Sequence, residues 1–333
     1  MDATNAPVER LSKPDLFDDR PERREALLEL LGVLDQGGYR FVTATPATHA
    51  RVLARSSRRT ARDVRDVLGW SLPFAPDTLP DAILRLLQAA GTVSPRDGGL
   101  LGADIRVSSV NDILFLHSAY PTLSQDSVFL GPDSYRFAAL IIAEMGELPL
   151  GANILDYAAG AGVGGIVAAR QHPQSQLVLA DINAKASFLS SINAEFSGLN
   201  HSVVHANAPR DVHGSFDLIV THPPFMMDDA QRAYRDGGGL HGAQLSLDWA
   251  REAIGKLNAG GKLVLHTGVS IVNGRDVLIE EIERHVHGDE WTIDYHELDP
   301  DIFSEDLDTP PYVRDDVERI AAVGLCITRY AAA

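Results

Sequence analysis

The segment that decides the fold has the sequence ILDYAAGAGVGG and occupies residues 154–165. It begins with apolar residues, continues through an acidic residue, Asp156, and ends in a glycine-rich stretch. This pattern predicts a buried strand that turns sharply into a helix, where glycines let the backbone approach a ligand closely. Gly160, Gly162 and Gly165 also have the GxGxxG spacing of dinucleotide-binding proteins. Because that spacing is a weak indicator on its own, an NAD enzyme is one interpretation among several.

A second carboxylate follows the next predicted strand. Residues 176–180 are an apolar strand candidate that leads into Asp181, which lies 21 residues after Gly160. A carboxylate at this place can accept hydrogen bonds from both ribose hydroxyls of an adenosine. Asp181, with its neighbours Ile182 and Asn183, therefore indicates an adenosine-containing cofactor without distinguishing NAD from S-adenosylmethionine (SAM).

Strand and helix patterns alternate around these two segments. Apolar strand candidates lie at 153–157, 176–180, 202–206, 216–221 and 262–267, and two later ones at 291–298 and 320–328. The alternation predicts a parallel sheet with helices on both faces, and the late pair predicts a terminal antiparallel hairpin. The expected fold is α/β, with a Rossmann-like, doubly wound sheet of seven strands.

The first 120 residues have a different pattern. Residues 22–34 and 80–90 have apolar side chains at helical spacing, whereas 92–118 alternates and is interrupted by turn residues. We expect a mainly helical domain with a small β element at 1–120, which shapes the substrate pocket. A cofactor-binding catalytic domain is expected at 121–333.

The charge is strongly uneven along the chain. The 333 residues carry 29 Lys and Arg against 46 Asp and Glu, a net charge of −17. Residues 1–120 hold 15 basic and 16 acidic side chains, so the remaining residues hold 14 and 30. An acidic field repels phosphates, which predicts that a nucleic-acid partner is unlikely and that the substrate is a small molecule.

Arginines are concentrated in one short segment. They are Arg51, Arg55, Arg58, Arg59, Arg62 and Arg65. We expect a solvated helix face that Asp63 and Asp66 balance. The alternative is a basic patch for an anionic partner.

Other chemistry is limited by composition. Cys326 is the single cysteine, which excludes an internal disulfide and a cysteine-based metal site. The histidines lack metal-ligand spacing, so we expect no metal. The amino end lacks an export pattern, and the most apolar stretch, 137–145, is far shorter than the ~20 residues of a membrane helix. We therefore expect a cytoplasmic protein without membrane association, whose oligomeric state the sequence leaves open.

The fourth predicted strand distinguishes the two cofactors. Residues 216–225 have the sequence FDLIVTHPPF, in which the strand ends at Thr221 and a Pro-Pro-aromatic turn follows. An NAD enzyme has no use for such a turn. It resembles the Asn-Pro-Pro-Tyr loop of class I SAM-dependent methyltransferases that act on planar or amine nitrogens. Asp156 and the glycines after it resemble their cofactor loop, with Ala158 in place of the usual first glycine, a departure expected to cost little.

Further segments extend this resemblance over roughly residues 125–330. RAYRDGGGLHG at 232–242 and LNAGGK at 257–262 are similar to segments of bacterial small-domain enzymes related to the release-factor glutamine methyltransferases. FLGPDSYR at 129–136 lies where those enzymes have a loop that closes over the cofactor. The resemblance implies that the cofactor is SAM.

The resemblance also implies a set of site residues. Contacts to the cofactor are expected from Asp156, Tyr157, Ala158, Gly160, Gly162, Asp181, Ile182, Asn183, Asn207 and Thr221. The expected catalytic set is His222, Pro223, Phe225 and Tyr135. In the family, the Asn side chain and a Pro-loop carbonyl accept hydrogen bonds from the target amine, and the aromatic ring packs on the substrate.

Two departures from the family motif bear on the reaction. His222 replaces Asn and Phe225 replaces Tyr. An amide offers an acceptor and two donors, whereas a neutral imidazole offers one of each, which disfavours glutamine as the acceptor. Histidine can instead orient or deprotonate an amine or a hydroxyl, or be a loop residue whose carbonyl does the work. We expect SAM-dependent N-methylation of a small-molecule or amino-acid-like substrate.

Two alternatives keep the cofactor. A few enzymes of similar fold cyclise SAM, whose α-amine attacks its own γ-carbon to give azetidine-2-carboxylate and methylthioadenosine. That reaction needs no acceptor clamp; His222 could keep the amine neutral, and Tyr135, Tyr157 and Phe225 could shield the sulfonium. The other alternative is a non-catalytic SAM-binding protein.

Overall fold

The computed structural model describes residues 20–232 and 234–330. Its amino-terminal region contains the helices α1 (Pro21–Gln36), α2 (Pro46–Leu53), α3 (Val64–Leu68) and α4 (Asp81–Ala89), and the strands β1 (Val93–Pro95), β2 (Leu101–Ala103), β3 (Ile105–Val110) and β4 (Ile113–Ser118). β1 pairs antiparallel with β2, and β3 with β4. The helical patterns at 22–34 and 80–90 correspond to α1 and α4. Across the described residues, no helix combines the length and apolarity that crossing a membrane requires.

The remaining elements alternate as the sequence predicts. They are α5 (Pro132–Glu144), β5 (Asn153–Tyr157), α6 (Val163–Gln171), β6 (Gln176–Asp181), α7 (Ala184–Phe196), β7 (His201–His205), β8 (Phe216–Thr221), α8 (Gln244–Ile254), β9 (Leu257–Val272), β10 (Arg275–Asp276), α9 (Val277–His285), β11 (Trp291–Asp299), α10 (Pro310–Arg314) and β12 (Val317–Arg329).

These strands form one sheet in the order β11-β12-β9-β8-β5-β6-β7, with the short β10 paired to β9. Neighbours from β9 to β7 are parallel, whereas β12 runs antiparallel to both β9 and β11. The predicted α/β fold with a terminal antiparallel hairpin is confirmed. β5 has β6 on one side and β8 on the other, so the strand order reverses there. The crevice at the carboxyl ends of β5 and β8 is where ligands bind in such sheets.

Both faces of the sheet are buried. Ile154 of β5 belongs to the core that includes α6 and α7, whereas Leu155 and Tyr157 belong to the core that includes α8 and α9. Successive side chains of a strand point to opposite faces, which explains why the central strands are apolar throughout.

Some boundaries differ from the sequence-based prediction. β9 extends over 257–272 rather than 262–267, because it pairs with β8 on one side and with β12 on the other. The arginine-rich segment is not one helix face, because α2 ends at Leu53 and α3 begins at Val64, with a 3₁₀ turn between them.

The amino-terminal region packs directly on the sheet domain. One hydrophobic cluster includes Leu30 of α1, Phe115 of β4 and Leu189 of α7. The fully buried Asn193 of α7 accepts a hydrogen bond from the Leu116 backbone nitrogen (2.9 Å) and donates to the Leu116 carbonyl (3.1 Å). Its amide also donates to the Ala161 carbonyl at 2.9 Å. A single side chain therefore joins β4 to the glycine-rich segment after β5.

Candidate cofactor and acceptor site

The glycine turn, defined here as residues 158–165, leads from β5 into α6. Gly160 and Gly162 have φ of 54° and 82°, in the left-handed region that glycine adopts without a steric penalty. A Cβ on Gly165 would lie 2.7 Å from Cβ of Asp156, so the absence of a side chain lets α6 approach β5 closely. The turn thus presents bare backbone at the carboxyl end of β5.

Ala158 has the same left-handed conformation, with φ of 57°. In this region Cβ approaches the following carbonyl oxygen, at a cost of roughly 1–2 kcal/mol for a residue other than glycine. The expectation that alanine replaces the family glycine at little cost is therefore corrected.

Ala158→Gly is expected to raise the free energy of unfolding by about 0.5–1 kcal/mol, because relief of the backbone strain exceeds the extra flexibility of the unfolded chain. Urea denaturation measures this. The matched control is Ala54→Gly, at an exposed residue with φ of −67° at the end of α2, and it should lower stability. A loss of stability in both variants would contradict the strain at Ala158.

Asp156 is buried beneath the glycine turn. It is 1% exposed, and its Oδ2 accepts a hydrogen bond from the Gly165 backbone nitrogen at 2.7 Å. Burial raises the pKa of this carboxyl to about 7, against the lowering effect of the Gly165 hydrogen bond, and the nearby Asp181 raises it further.

This raised pKa predicts a dependence of stability on pH. Between about pH 4 and pH 7 the folded state holds a proton that an unfolded Asp has released, so the free energy of unfolding falls as pH rises, by up to ~4 kcal/mol. In Asp156→Asn that contribution is absent, and the variant should be more stable than the wild type above about pH 7. Urea denaturation of the wild type and of Asp156→Asn at about pH 5 and about pH 7.5 gives the change in the free energy of unfolding with pH for each protein. Identical slopes for the two proteins would show that Asp156 titrates normally.

Asp181 connects the glycine turn to the next helix. Its Oδ2 accepts from the Gly160 backbone nitrogen and its Oδ1 from the Asn183 backbone nitrogen, each at 2.8 Å. Burial raises the pKa of this carboxyl. Each carboxylate oxygen has a second acceptor site, so the side chain can also take two hydroxyl donors.

The neighbours of Asp181 form the rest of this side of the crevice. The side chain of Asn183 caps α7 by accepting from the Lys185 backbone nitrogen (2.9 Å), and its amide donates to the Asp126 carbonyl (2.8 Å). Ile182 is 53% exposed, which leaves an apolar surface beside Asp181. Asn207, two residues after β7, is exposed.

Tyr157 and Thr221 have structural contacts. The Tyr157 ring is buried against Trp249 of α8, with ring centroids 4.7 Å apart. The Thr221 hydroxyl donates to the Tyr157 carbonyl at 2.8 Å, which joins the ends of β5 and β8. Because Tyr157 alternates with Asp156 along β5, its ring lies on the opposite face of the sheet. This placement corrects the expectation that the ring shields a sulfonium.

The Pro loop, residues 222–225, follows β8. The Nδ1 atom of His222 lies 2.8 Å from the His266 carbonyl and 3.1 Å from the His266 Nδ1. A carbonyl can only accept, so the neutral His222 ring carries its proton on Nδ1 and leaves Nε2 as an acceptor.

His266 of β9 fixes this arrangement. It is fully buried, and burial, with the charge of Arg136, lowers the pKa of its ring well below the usual value, so it is neutral. Its Nδ1 faces the His222 N–H as an acceptor, which places the His266 proton on Nε2. That buried nitrogen has no hydrogen-bond partner among the described residues.

Charged residues of α5 and β11 adjoin His222. Asp133 is 2% exposed and forms an ion pair with Arg136 (3.1 Å), which also binds Asp299 (2.5 Å). Burial raises the pKa of Asp133, while the charge and hydrogen bond of Arg136 act to lower it. Phe137 packs near the imidazole, with ring centroids 5.7 Å apart.

Four residues near the Pro loop were not predicted from the sequence, namely Asp133, Arg136, His266 and Asp299. Asp133 and Arg136 lie within the quoted segment 129–136, which was the available signal. His266 and Asp299 lie in β9 and β11, and no local sequence pattern predicts that they lie near the Pro loop.

The aromatic residues expected to face the substrate have other partners. Phe225 is 8% exposed, and its ring lies over Gly268, where a Cβ would be 2.3 Å from the ring. The Tyr135 hydroxyl accepts from the Thr43 backbone nitrogen at 2.9 Å and so faces the amino-terminal region. Pro223 is buried. The Phe225 ring is therefore covered by β9 and the Tyr135 hydroxyl is engaged, and the catalytic role of these residues stays a prediction.

The glycine-rich segment 237–242 packs against the backbone of the Pro loop. A Cβ on Gly242, whose φ is 95°, would lie 2.2 Å from the Phe225 carbonyl oxygen. A cavity of about 460 Å³ opens beside this contact. It is lined in part by Met227, Asp236, Leu240, His241, Arg314 and Asp315. In its wall, His241 Nδ1 lies 2.9 Å from an Asp315 oxygen.

Over the described ranges, no group of three or more His, Cys, Asp or Glu could hold a metal ion.

Comparison with known proteins finds a family model that matches part of the chain. Residues 123–266 match the family model described as Methyltransferase small domain. Ribosomal RNA small subunit methyltransferase C of Photorhabdus laumondii is 34% identical over 118 residues, which are 35% of this chain and 32% of that protein. The protein of that name from Pectobacterium atrosepticum is 42% identical over 73 residues, 22% of this chain and 21% of its own. The chain therefore spans about a third or less of the length of these curated relatives.

Solved structures give weaker similarity. TrmN from Thermus thermophilus has a TM-score of 0.41 at 16% identity, over 92% of this chain and 79% of its own. Trm5b from Pyrococcus abyssi has a TM-score of 0.45 at 12% identity, over 75% and 67%. Scores of this size carry no information about function.

The name of the sequence relatives contradicts two expectations. Net charge predicted a small-molecule substrate and an unlikely nucleic-acid partner, yet the relatives are ribosomal RNA methyltransferases. The total of −17 is a sum over the whole chain, whereas a polyanion responds to the charge of the local surface that it contacts.

The family match covers β5, the glycine turn, Asp181 and the Pro loop. The matched part of the chain is therefore similar to methyltransferases, and its cofactor is SAM.

Proposed function

We propose that this protein transfers the methyl group of SAM to a base nitrogen of RNA, with ribosomal RNA as the first substrate to test. The observation that carries the proposal is a Pro loop whose His222 is held with Nε2 as a free acceptor, at the carboxyl end of β8 beside the glycine turn. The relatives named for ribosomal RNA support the substrate class.

The residues at the crevice fit the cofactor. At Gly160 a Cβ would have only the Ala158 carbonyl oxygen within about 4 Å, so the backbone there is open to a ligand. Asp181 retains acceptor capacity for ribose hydroxyls, and Ile182 offers an apolar surface for adenine. When bound, SAM supplies an electrophilic methyl group on a sulfonium. The residues proposed to hold it are Asp156, Ala158, Gly160, Gly162, Asp181, Ile182, Asn183 and Asn207. Tyr157 and Thr221 contribute by joining β5 to β8.

His222 is proposed to position the acceptor amine. Its Nε2 accepts a hydrogen bond from the amine, and the backbone carbonyl beside Pro223 accepts a second one, as in the family with Asn. The same nitrogen can take the proton that the amine loses after it is methylated. Positioning of this kind contributes most of the rate when little covalent chemistry falls to the protein.

The buried aromatic residues are proposed to support this arrangement rather than to contact the base. Phe225 fixes the Pro loop on Gly268 of β9. Tyr135 fixes the first turn of α5 to Thr43 of the amino-terminal region. The 460 Å³ cavity that begins at Met227 is lined by Asp228, Asp229, Asp236 and Asp315, so it is not proposed to receive the phosphate backbone.

The acceptor can be identified directly. Protein-free small-subunit ribosomal RNA is incubated with the protein and methyl-labelled SAM, digested to nucleosides and analysed by mass spectrometry. The expected result is one labelled nucleoside with the methyl group on a base nitrogen. Label on a ribose or a base carbon, or label that appears equally with a His222→Ala variant, would contradict the proposed acceptor chemistry.

A further inference from the structure

The arginine-rich segment forms a surface that the methyl-transfer chemistry does not use. Residues 46–75 hold six arginines and two acids, a local net charge of +4. By contrast, residues 121–333 hold 14 basic and 30 acidic side chains. The amino-terminal region is therefore where a polyanion meets least repulsion.

Neither acid of this segment balances the whole cluster. Asp63 accepts a hydrogen bond from the Asp66 backbone nitrogen at 2.8 Å and so caps α3. Asp66, which is buried, binds Arg58 and Arg62. The expected solvated surface, on which Asp63 and Asp66 would neutralise all of the arginines, is therefore inconsistent with these contacts.

Four arginines remain outside these pairs. Arg65 lies over the Phe41 ring, 5.6 Å from its centroid, and the other three, Arg51, Arg55 and Arg59, are called the arginine surface. All three are exposed. Within the described parts of the chain, none has a carboxylate at ion-pair distance, whereas Arg58 and Arg62 share one. Guanidinium groups suit phosphate because they donate two parallel hydrogen bonds to its oxygens.

The arginine surface has a short structural connection to the catalytic side. α2 begins three residues after Thr43, whose backbone nitrogen binds the Tyr135 hydroxyl in the first turn of α5. The same turn holds Asp133 and Arg136, and the charge of Arg136 acts to lower the pKa values of both Asp133 and His266 beside the Pro loop. A helix of eight residues, such as α2, is only about 12 Å long.

We propose that Arg51, Arg55 and Arg59 bind the phosphate backbone of the RNA whose base enters the acceptor site. This inference rests on the proposed function and adds the surface by which the substrate is held. An extended strand of RNA that contacts both the arginine surface and the Pro loop avoids the acidic remainder of the protein.

The test is a triple variant, Arg51→Gln, Arg55→Gln and Arg59→Gln, compared with the wild type in binding a fluorescent single-stranded RNA of mixed sequence. Loss of three phosphate contacts should lower the slope of log affinity against log salt by about 2 and weaken binding about 100-fold at about 0.1 M salt. The SAM affinity of the variant should be unchanged, which verifies that it folds.

The matched control removes the same charge elsewhere through Arg85→Gln, Arg170→Gln and Arg251→Gln, which are also exposed. This control should bind the RNA within about threefold of the wild type, because general charge acts weakly beyond the screening length.

The outcomes separate the surface from the function. A wild type that neither binds nor methylates RNA refutes the proposed function itself. A wild type that methylates RNA, with equal RNA affinity in the two triple variants, refutes the arginine surface alone. Arginine-dependent binding to phosphatidylserine vesicles, with RNA binding unaffected by the triple variant, would assign the surface to a membrane and overturn the proposal.

Discussion

Replacing His222 with alanine is expected to lower the rate of methyl transfer by about 100- to 1,000-fold, the range for loss of one positioned acid–base or hydrogen-bonding group. The reason is that Nε2 is the free acceptor of a ring held by the His266 carbonyl. The SAM dissociation constant should change by less than about threefold, because the residues proposed to hold SAM lie in the glycine turn and at the end of β6. Single-turnover kinetics and isothermal titration calorimetry measure the two quantities.

The control for this change is His222→Asn, which restores the side chain of the family motif. It should retain more activity than His222→Ala, because an amide oxygen can accept a hydrogen bond from the target amine. Wild-type activity in His222→Ala would mean that the Pro-loop carbonyl positions the acceptor alone and that the imidazole is a bystander.

Asp181→Ala is expected to weaken SAM binding by about 2–3 kcal/mol, or roughly 30- to 150-fold, because charge-assisted acceptors for the ribose are removed. The effect includes loss of the acceptors for the Gly160 and Asn183 backbone nitrogens, which hold the glycine turn and the start of α7. Calorimetric titration with SAM measures the change.

Asp181→Asn keeps the shape of the side chain and one acceptor oxygen, so it should lie between the wild type and Asp181→Ala. Asp294→Ala removes an exposed carboxylate from β11 and should have no effect on SAM binding. If Asp181→Ala binds SAM as well as the wild type does, the ribose does not lie at Asp181.

The sheet could be predicted because its signals are local. Apolar runs ended by Asp156 and Asp181 mark strands whose carboxyl ends meet at one edge. The full length of β9 could not be predicted, because both of its extensions depend on strands that are distant in sequence. Leu257 pairs with Phe216 of β8 across an irregularity at 258–261, where Gly260 has φ of 80°, and residues 268–272 pair with β12.

The candidate site was predictable only in part for the same reason. The glycine turn and the Pro loop are contiguous in sequence, whereas His266 reaches His222 across 44 residues. A buried histidine in a strand is unremarkable until its neighbours are known. The alternation of side chains along β5 does predict that Tyr157 and Asp156 lie on opposite faces of the sheet.

Amino-acid composition alone could not predict whether the protein has a nucleic-acid partner. The total charge treats the arginine surface and the acidic second half as one average, although the two lie in different parts of the fold. A phosphate backbone responds to charges within about a Debye length, roughly 8–10 Å, so only the local surface decides whether it binds.

The measurement that tests the central claim most directly is the nucleoside formed from SAM by the wild type, with and without small-subunit ribosomal RNA, followed by mass spectrometry. S-adenosylhomocysteine should form only when RNA is present. Methylthioadenosine formed from SAM alone would show cyclisation or another attack on the methionyl chain. No product at all, with SAM still bound, would show a non-catalytic binding protein, and either result would contradict RNA methylation.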